Sequence, residues 1–220
     1  MTYDTEKFWK LKEQRDKLLE RGCNGNCTES EFEEVMISAG VVSHLDDCKY
    51  RRERRLNELN QTREGEVLIN LKETEAVKHI KEYMGNGFKK GNALVLSGNT
   101  GTGKTIALYH LYVEVGGHKV HASNLQDQFF SENEFSRSLY GHRILLIDDL
   151  GVEYRKDWFN SKFDDLINYR YRKMLPTVIT TNLHAEAFKD AYSARIISRI
   201  KEWGKFVQLG GKDMRGQLKS

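Results

Sequence analysis

Apolar residues follow two different patterns along the chain. After residue 65, short runs of Val, Leu and Ile alternate with longer stretches in which apolar residues recur at helical spacing. Buried strands separated by helices are typical of a parallel sheet with helices on both faces. We therefore predict an α/β domain over residues 65–220. Before residue 62 only helical spacing occurs, which predicts a small helical domain over residues 1–62.

The predicted strands are the short apolar runs. They are Ala93–Gly98, His118–Ser123, Ile144–Asp148, Thr177–Thr181 and Lys205–Leu209. The predicted helices of the α/β domain are Lys104–Val115, Asp157–Lys173 and, in two pieces, Ala185–Glu202. Capping residues and spacing predict N-terminal helices over Tyr3–Arg21, from Ser30 to about Gly40 and from Ser43 to about Asn60.

Composition limits the class of protein. The 220 residues are 39% hydrophobic, enough for a substantial core, and the formal net charge is only +3. No apolar run approaches the roughly 18 residues of a membrane span, and the N-terminus lacks the features of a secretion signal. A cytoplasmic protein without a membrane partner is expected. The basic run Lys49–Arg55 indicates either a solvated helix face or a contact with a partner.

The segment "GNTGTGKT" fits the phosphate-loop pattern G-x-x-x-x-G-K-[ST] between a predicted strand and helix. In such loops backbone amides surround the phosphates, the lysine reaches the β- and γ-phosphates, and the last hydroxyl binds Mg²⁺. A glycine-rich turn without this function has no need of Lys-Thr at that place. The predicted nucleotide-binding residues are Gly98, Asn99, Thr100, Gly101, Thr102, Gly103, Lys104 and Thr105.

Acidic and amide side chains follow two further strands. Asp148 and Asp149 end the run "ILLIDD", where one carboxylate can hold Mg²⁺ and the other can orient or deprotonate a water. Asn182 follows "TVITT" and would lie beside the γ-phosphate, because ligands bind at the carboxyl ends of parallel strands. The alternative for Asn182 is a turn residue before the next helix.

Two arginines lie four residues apart in "ARIISRI". One of them, Arg195 or Arg199, can reach the γ-phosphate of a neighbouring subunit, while the other can serve in a salt bridge. Spacing alone does not distinguish between them.

These motifs, with "NYRYRKMLPTVITTNL" and a late "DMR", resemble the AAA+ ATPases, in particular the DnaC- and DnaI-type helicase loaders and the IstB-like transposition ATPases. The resemblance covers residues 65–215. It implies an active site formed between subunits, with Asn182 as the sensor-1 residue, Arg195 as the arginine finger and Arg215 as the sensor-2 arginine.

Three features depart from that family pattern. Position 149 is Asp where most AAA+ proteins have Glu, and the shorter side chain implies slow turnover. Residues 123–143 are fewer than in the equivalent region of the loaders. The resemblance therefore does not carry over any contacts with single-stranded DNA that this region makes in the loaders. Few residues follow Arg215, so we expect a reduced or absent helical lid.

Four side chains in the N-terminal part have the chemistry of zinc ligands. They are Cys23, Cys27, His44 and Cys48. His44 and Cys48 are four apart on a predicted helix, and zinc would stabilise a domain too small for a large core. The alternative is that the cysteines are merely buried. DnaI-type loaders carry a zinc-binding N-terminal domain that contacts the helicase, so the resemblance favours zinc.

The leading hypothesis is an ATP- and Mg²⁺-dependent loader of a hexameric replicative helicase onto single-stranded DNA, compact enough for a phage or mobile-element protein. It would assemble into an oligomer on ATP and hydrolyse ATP slowly. The alternatives are an IstB-like transposition helper and a nucleotide-gated adaptor with little hydrolysis. A small-molecule P-loop kinase fits less well, because the sequence offers a sensor-like Asn182 and paired arginines.

Overall fold

The computed structural model describes residues 49–59, 62–69, 73–87, 91–130, 139–141, 144–151, 157–211 and 213. The chain divides into two compact units. The first comprises residues 1–66 with 113–116, and the second comprises residues 67–112 with 117–220. Among the helices described, none is long and apolar enough to cross a membrane.

Helices and strands alternate along the described part of the chain. The first helices are α1 (Lys49–Leu59), α2 (Arg63–Ile69) and α3 (Glu75–Glu82), the last followed by a π-helical turn at Tyr83–Gly87. Then come β1 (Ala93–Ser97), α4 (Lys104–Val115), β2 (His118–His121), α5 (Ala122–Phe130) and β3 (Leu145–Leu150). The remaining elements are α6 (Asp157–Arg172), β4 (Thr177–Thr181), α7 (Ala185–Ala191), α8 (Ala194–Trp203) and β5 (Gly204–Gln208).

The five strands form one parallel sheet in the order β2-β3-β4-β1-β5. The predicted parallel α/β fold is therefore confirmed, and the carboxyl ends of all five strands meet at one edge. The central strands are buried along their whole length, since β1 and β4 expose no residue. This explains why their sequences are continuous apolar or small-residue runs instead of alternating patterns.

One face of the sheet packs against a cluster of large side chains from three helices. Phe159 and Phe163 of α6, Phe188 of α7 and Ile196 and Ile200 of α8 belong to the same buried cluster as strand residues from that face. The intervening strand residues are also buried, as at Leu94 and Leu96 of β1. Both faces of the sheet are therefore covered, as the apolar runs predict.

One strand end differs from the sequence prediction. The strand predicted to reach Ser123 stops at His121, and α5 begins at Ala122. The Nδ1 atom of His121 and the Ser123 hydroxyl lie 2.8 Å apart, and the Ser123 amide donates to the same ring nitrogen. These local bonds satisfy polar groups that pairing with the neighbouring strand would otherwise satisfy. The chain therefore leaves the sheet after His121 and begins the helix.

A buried arginine holds the start of β4. Arg170 of α6 is completely buried, and its guanidinium donates to Thr177 Oγ1, to Leu139 O and to Pro176 O at 2.8–2.9 Å. Burial lowers the pKa of Arg170 to about 10. The side chain replaces water as the donor to these carbonyl groups and so fixes the turn between α6 and β4.

Part of the basic run Lys49–Arg55 makes contacts inside the first unit. Arg55 is only 8% exposed and donates to Val113 O and Glu114 O, while Arg52 Nε lies 2.7 Å from Glu114 Oε1. A buried guanidinium on the last carbonyl groups of a helix satisfies acceptors that have no intrahelical partner. These two arginines therefore have a structural use.

Candidate nucleotide-binding site

The loop between β1 and α4 has a backbone conformation that glycine permits. Gly101 and Gly103 both have φ of 84°, in the left-handed region that other residues rarely adopt. Between them the Thr102 hydroxyl donates to Asn99 O at 2.8 Å. A methyl group added at Gly101 would also overlap the carboxylate of Asp213. Both backbone conformation and close approach thus require glycine at position 101.

Lys104, the first residue of α4, turns back beneath this loop. Its side chain is only 6% exposed, and its Nζ donates to Gly98 O at 2.7 Å and to Asn99 O at 2.8 Å. The same ammonium donates to Asn182 Oδ1 at 3.0 Å. The positive charge of this buried ammonium, next to the loop backbone, would attract a polyanion.

Thr105 lies next to the first of the two aspartates. Its hydroxyl is 3.1 Å from Asp148 Oδ1, and the Thr180 hydroxyl donates to that same oxygen at 2.6 Å. Asp148 is 6% exposed. Hydroxyl and carboxylate oxygens in this arrangement are ligands that Mg²⁺ prefers.

Asp149 has an unusual backbone conformation and a defined side-chain partner. Its φ is 58°, a region that costs non-glycine residues about 1–3 kcal/mol and is enriched at active sites. Asn182 Nδ2 donates to Asp149 Oδ1 at 2.7 Å. The Asn182 amide therefore touches Lys104 with its oxygen and Asp149 with its nitrogen.

Hydrogen bonds between strand ends place Asn182. The Gly98 amide donates to Thr181 O, and the Ser97 hydroxyl donates to Leu183 O at 2.7 Å. The Thr181 hydroxyl donates to Leu150 O at 2.6 Å and accepts from the Leu183 amide. Asn182 is thus held on both sides by bonds to β1 and β3.

The structure separates the two arginines of α8. Arg199 Nε donates to Asn168 Oδ1 at 2.9 Å, and its guanidinium lies 4.8 Å from the centre of the Tyr171 ring. Arg195 is exposed, and within the described ranges no hydrogen bond or ion pair holds its side chain. Arg199 therefore has the structural role, and Arg195 is available to a second molecule.

Several predicted site residues lie outside the residues that the structure describes. They are Arg215 and the four candidate zinc ligands Cys23, Cys27, His44 and Cys48. Within the residues it describes, no group of three or more His, Cys, Asp or Glu side chains is arranged to hold a metal ion.

Sequence reasoning missed two residues near the site, Thr180 and Asp213. Thr180 is the first of the two adjacent threonines in "TVITTN", and a polar pair ending a buried strand was the available signal. Asp213 follows β5 closely in sequence, and Leu209 already bonds to Ser97 O through its amide. No pattern in the sequence indicates that a carboxylate returns to Gly101.

Several solved structures resemble this chain over 60–69% of its length. The DnaC helicase loader is 23% identical, with a TM-score of 0.53 over 60% of this chain and 87% of that one. DnaI is 23% identical, with a TM-score of 0.55 over 64% of this chain and 83% of that one. AMPPCP-bound DnaA from Aquifex aeolicus is 22% identical, with a TM-score of 0.56 over 69% and 52%. The chain has the AAA+ fold.

At these identities the likeness concerns the fold. No protein-family model matches the sequence, and no curated protein sequence matches it significantly. Within this fold the loop Gly98–Thr105 follows β1, Asp148 and Asp149 lie near the end of β3, and Asn182 follows β4, and these are three adjacent central strands.

The donors present at this edge of the AAA+ sheet fit a magnesium nucleotide. Lys104 and the loop amides offer positive charge and donors to phosphate oxygens, and Thr105 and Asp148 offer oxygen ligands to the cation. The remaining carboxylate, Asp149, is linked to Lys104 through the Asn182 amide.

Proposed function

We propose that the protein is a Mg²⁺-dependent ATPase whose site consists of the loop Gly98–Thr105 with Asp148, Asp149 and Asn182. The observation that carries the proposal is the Asn182 amide, which contacts the loop lysine and the second aspartate together. A lysine that binds phosphates and a carboxylate that can accept a proton are thereby held one amide apart. Nucleotide binding alone does not require the bond between Asn182 and Asp149.

Each side chain has a role that follows from its position. Lys104 offsets negative charge on the β- and γ-phosphates, and Thr105 and Asp148 would hold Mg²⁺. The cation, when bound, neutralises charge that develops on the phosphates. Asp149 orients the attacking water and accepts its proton, and Asn182 keeps that carboxylate directed at the γ-phosphate side of the loop.

The site is proposed to be completed by a second copy of the chain. Arg195 is exposed and unpaired in the part of the chain described here, whereas its neighbour Arg199 is already engaged. An arginine supplied by a neighbouring subunit typically accelerates nucleotide hydrolysis by about 10³- to 10⁵-fold. ATP would therefore act as the link between subunits, and Arg215 would add the sensor-2 contact.

The biological role we propose is loading of a hexameric replicative helicase onto single-stranded DNA. Support comes from the fold, which is shared with the DnaC helicase loader and DnaI. The N-terminal part, with zinc on Cys23, Cys27, His44 and Cys48, would bind the helicase. An IstB-like role in transposition is the alternative within the same fold.

The direct experiment is native mass spectrometry of the protein mixed with the replicative helicase of its host, in ATP and in ADP. A loader forms a complex with the helicase hexamer whose stoichiometry changes with the nucleotide. The Lys104→Ala variant is the control for nucleotide dependence. Absence of any helicase complex with folded protein would overturn the loader role but would leave the ATPase proposal standing.

One observation favours a second candidate, a nucleotide-gated adaptor that hydrolyses very little ATP. The carboxylate of Asp149 is one carbon shorter than the usual glutamate, and one of its oxygens is already bonded to Asn182. Single-turnover hydrolysis of bound ATP separates the two candidates. An ATPase converts all bound ATP to ADP on assembly, whereas an adaptor retains ATP for as long as it stays assembled.

A further inference from the structure

The two aspartates lie in an irregularity of the sheet. In the pairing of β3 with β4, Ile147 is opposite Ile179 and Leu150 is opposite Thr181. Two residues of β3, Asp148 and Asp149, therefore face the single intervening residue of β4, Thr180. Such a bulge interrupts the regular ladder and redirects side chains, and bulges are frequent beside active sites.

The Thr180 side chain supplies the bonds that the ladder lacks at this point. Its hydroxyl donates to Asp148 Oδ1 at 2.6 Å and accepts from the Asp149 amide at 2.9 Å. A hydroxyl has one donor and two acceptor positions, so one oxygen makes both bonds at the same time. Thr180 is 1% exposed, so water does not compete for these bonds.

We propose that Thr180 is a positioning residue that sets the orientation of both aspartates through one hydroxyl group. This inference rests on the proposed ATPase function. The bond to Asp148 fixes the carboxylate that would hold Mg²⁺ together with Thr105. The bond from the Asp149 amide holds that residue in its left-handed conformation, which directs its side chain to Asn182.

Two variants separate the effect of the hydroxyl from the effect of packing. Thr180→Val keeps the branched shape and removes the hydroxyl, and Thr180→Ser keeps the hydroxyl and removes a methyl group. We expect Thr180→Val to lower kcat by about 10- to 100-fold, the range that misplacement of a reacting group produces, with a smaller effect on KM. Thr180→Ser should recover most of the turnover.

A second readout does not depend on hydrolysis. Calorimetric titration of AMPPCP at a series of Mg²⁺ concentrations reports how well Asp148 is held for the cation. Thr180→Val should need several-fold more Mg²⁺ for half of its full nucleotide affinity, and Thr180→Ser should behave as the unsubstituted protein does.

Thr177→Val is the matched control for stability. Thr177 is on the same strand and fully buried, but its hydroxyl accepts from Arg170 and donates to Leu175 O, away from the aspartates. It should lower the thermal midpoint and leave kcat and the Mg²⁺ dependence unchanged. Unchanged Mg²⁺ dependence in Thr180→Val, or equal losses in Thr180→Val and Thr180→Ser, would overturn the inference. Failure of the unsubstituted protein to hydrolyse ATP would instead overturn the proposed function, and the calorimetric comparison would still decide the role of Thr180.

Discussion

The amide of Asn182 joins Lys104 to Asp149. Its Oδ1 accepts from Lys104 Nζ at 3.0 Å, and its Nδ2 donates to Asp149 Oδ1 at 2.7 Å. A side chain that bonds a lysine and a carboxylate in opposite directions fixes both, because only one orientation of the amide satisfies the two bonds.

Replacing Asn182 by Ala should therefore affect turnover more than binding. Without the amide, Asp149 loses its orienting donor, and we expect kcat to fall by about 10²-fold while nucleotide affinity changes only a few-fold. Steady-state hydrolysis and calorimetric binding of AMPPCP measure the two effects. Asn168→Ala is the control, since that amide bonds to Arg199. Equal losses of affinity and kcat would contradict the positioning role.

The two arginines of α8 should respond differently to removal. Arg199→Ala loses a hydrogen bond to Asn168 and the contact with the Tyr171 ring, which predicts a loss of about 1 kcal/mol in the free energy of unfolding. Arg195→Ala should change stability by less than about 0.5 kcal/mol but abolish assembly-dependent hydrolysis. Denaturant titration and ATPase assays check both. Normal hydrolysis by Arg195→Ala would remove it from the site.

The carboxylate of Asp213 lies against Gly101 of the proposed phosphate-binding loop. Removal of a negative charge beside a polyphosphate should strengthen binding, and we expect Asp213→Asn to lower the Kd for AMPPCP by about 2- to 10-fold. The gain should diminish in high salt. Gly101→Ala should weaken binding, because its methyl group meets the same carboxylate. Unchanged affinity in Asp213→Asn at low salt would contradict an electrostatic effect.

Arg170 should be among the residues on which stability depends most. Arg170→Met leaves Leu139 O and Pro176 O without their donor in a buried region, which predicts a loss of about 3 kcal/mol in the free energy of unfolding. The exposed Arg172 on the same helix gives the control, because Arg172→Met should cost less than about 0.5 kcal/mol. Chemical denaturation of both variants provides the test, and similar losses would contradict the assigned role.

His118 introduces a pH dependence of stability. Burial lowers its pKa from the ordinary 6.5, while the contact with Gln128 raises it by less. The unfolded chain therefore binds a proton first as the pH falls, and the free energy of unfolding decreases below about pH 6.5. His118→Gln should show a shallower decrease of the thermal midpoint between about pH 7 and pH 5. Identical slopes would contradict this contribution.

The sequence predicted the sheet and its helices because the buried strands are nearly uninterrupted apolar runs bounded by glycine and polar residues. Lys104 was identifiable from the phosphate-loop pattern, and Asp148 and Asn182 were identifiable because each ends or immediately follows such a run. The order of the strands and the bulge opposite Thr180 depend on pairing between distant segments, which no local pattern encodes.

Other features depended on contacts between side chains. Spacing on one helix made Arg195 and Arg199 equivalent, and only the positions of Asn168 and Tyr171 distinguished them. The burial of Arg170 depends on the carbonyl groups around it, which accept hydrogen bonds from its guanidinium. Sequence positions near the termini, including Cys23 and Arg215, stay predictions.

The measurement that tests the central claim most directly is ATP hydrolysis by mixed subunits. Lys104→Ala removes the lysine proposed to bind the phosphates, and Arg195→Ala removes the proposed contribution to a neighbour, so neither variant should hydrolyse ATP alone. In an equimolar mixture about a quarter of the interfaces combine an intact lysine with an intact arginine, and a corresponding fraction of activity should return. If the unsubstituted protein is active and the mixture stays inactive although mixed assemblies form, the site is not shared between subunits.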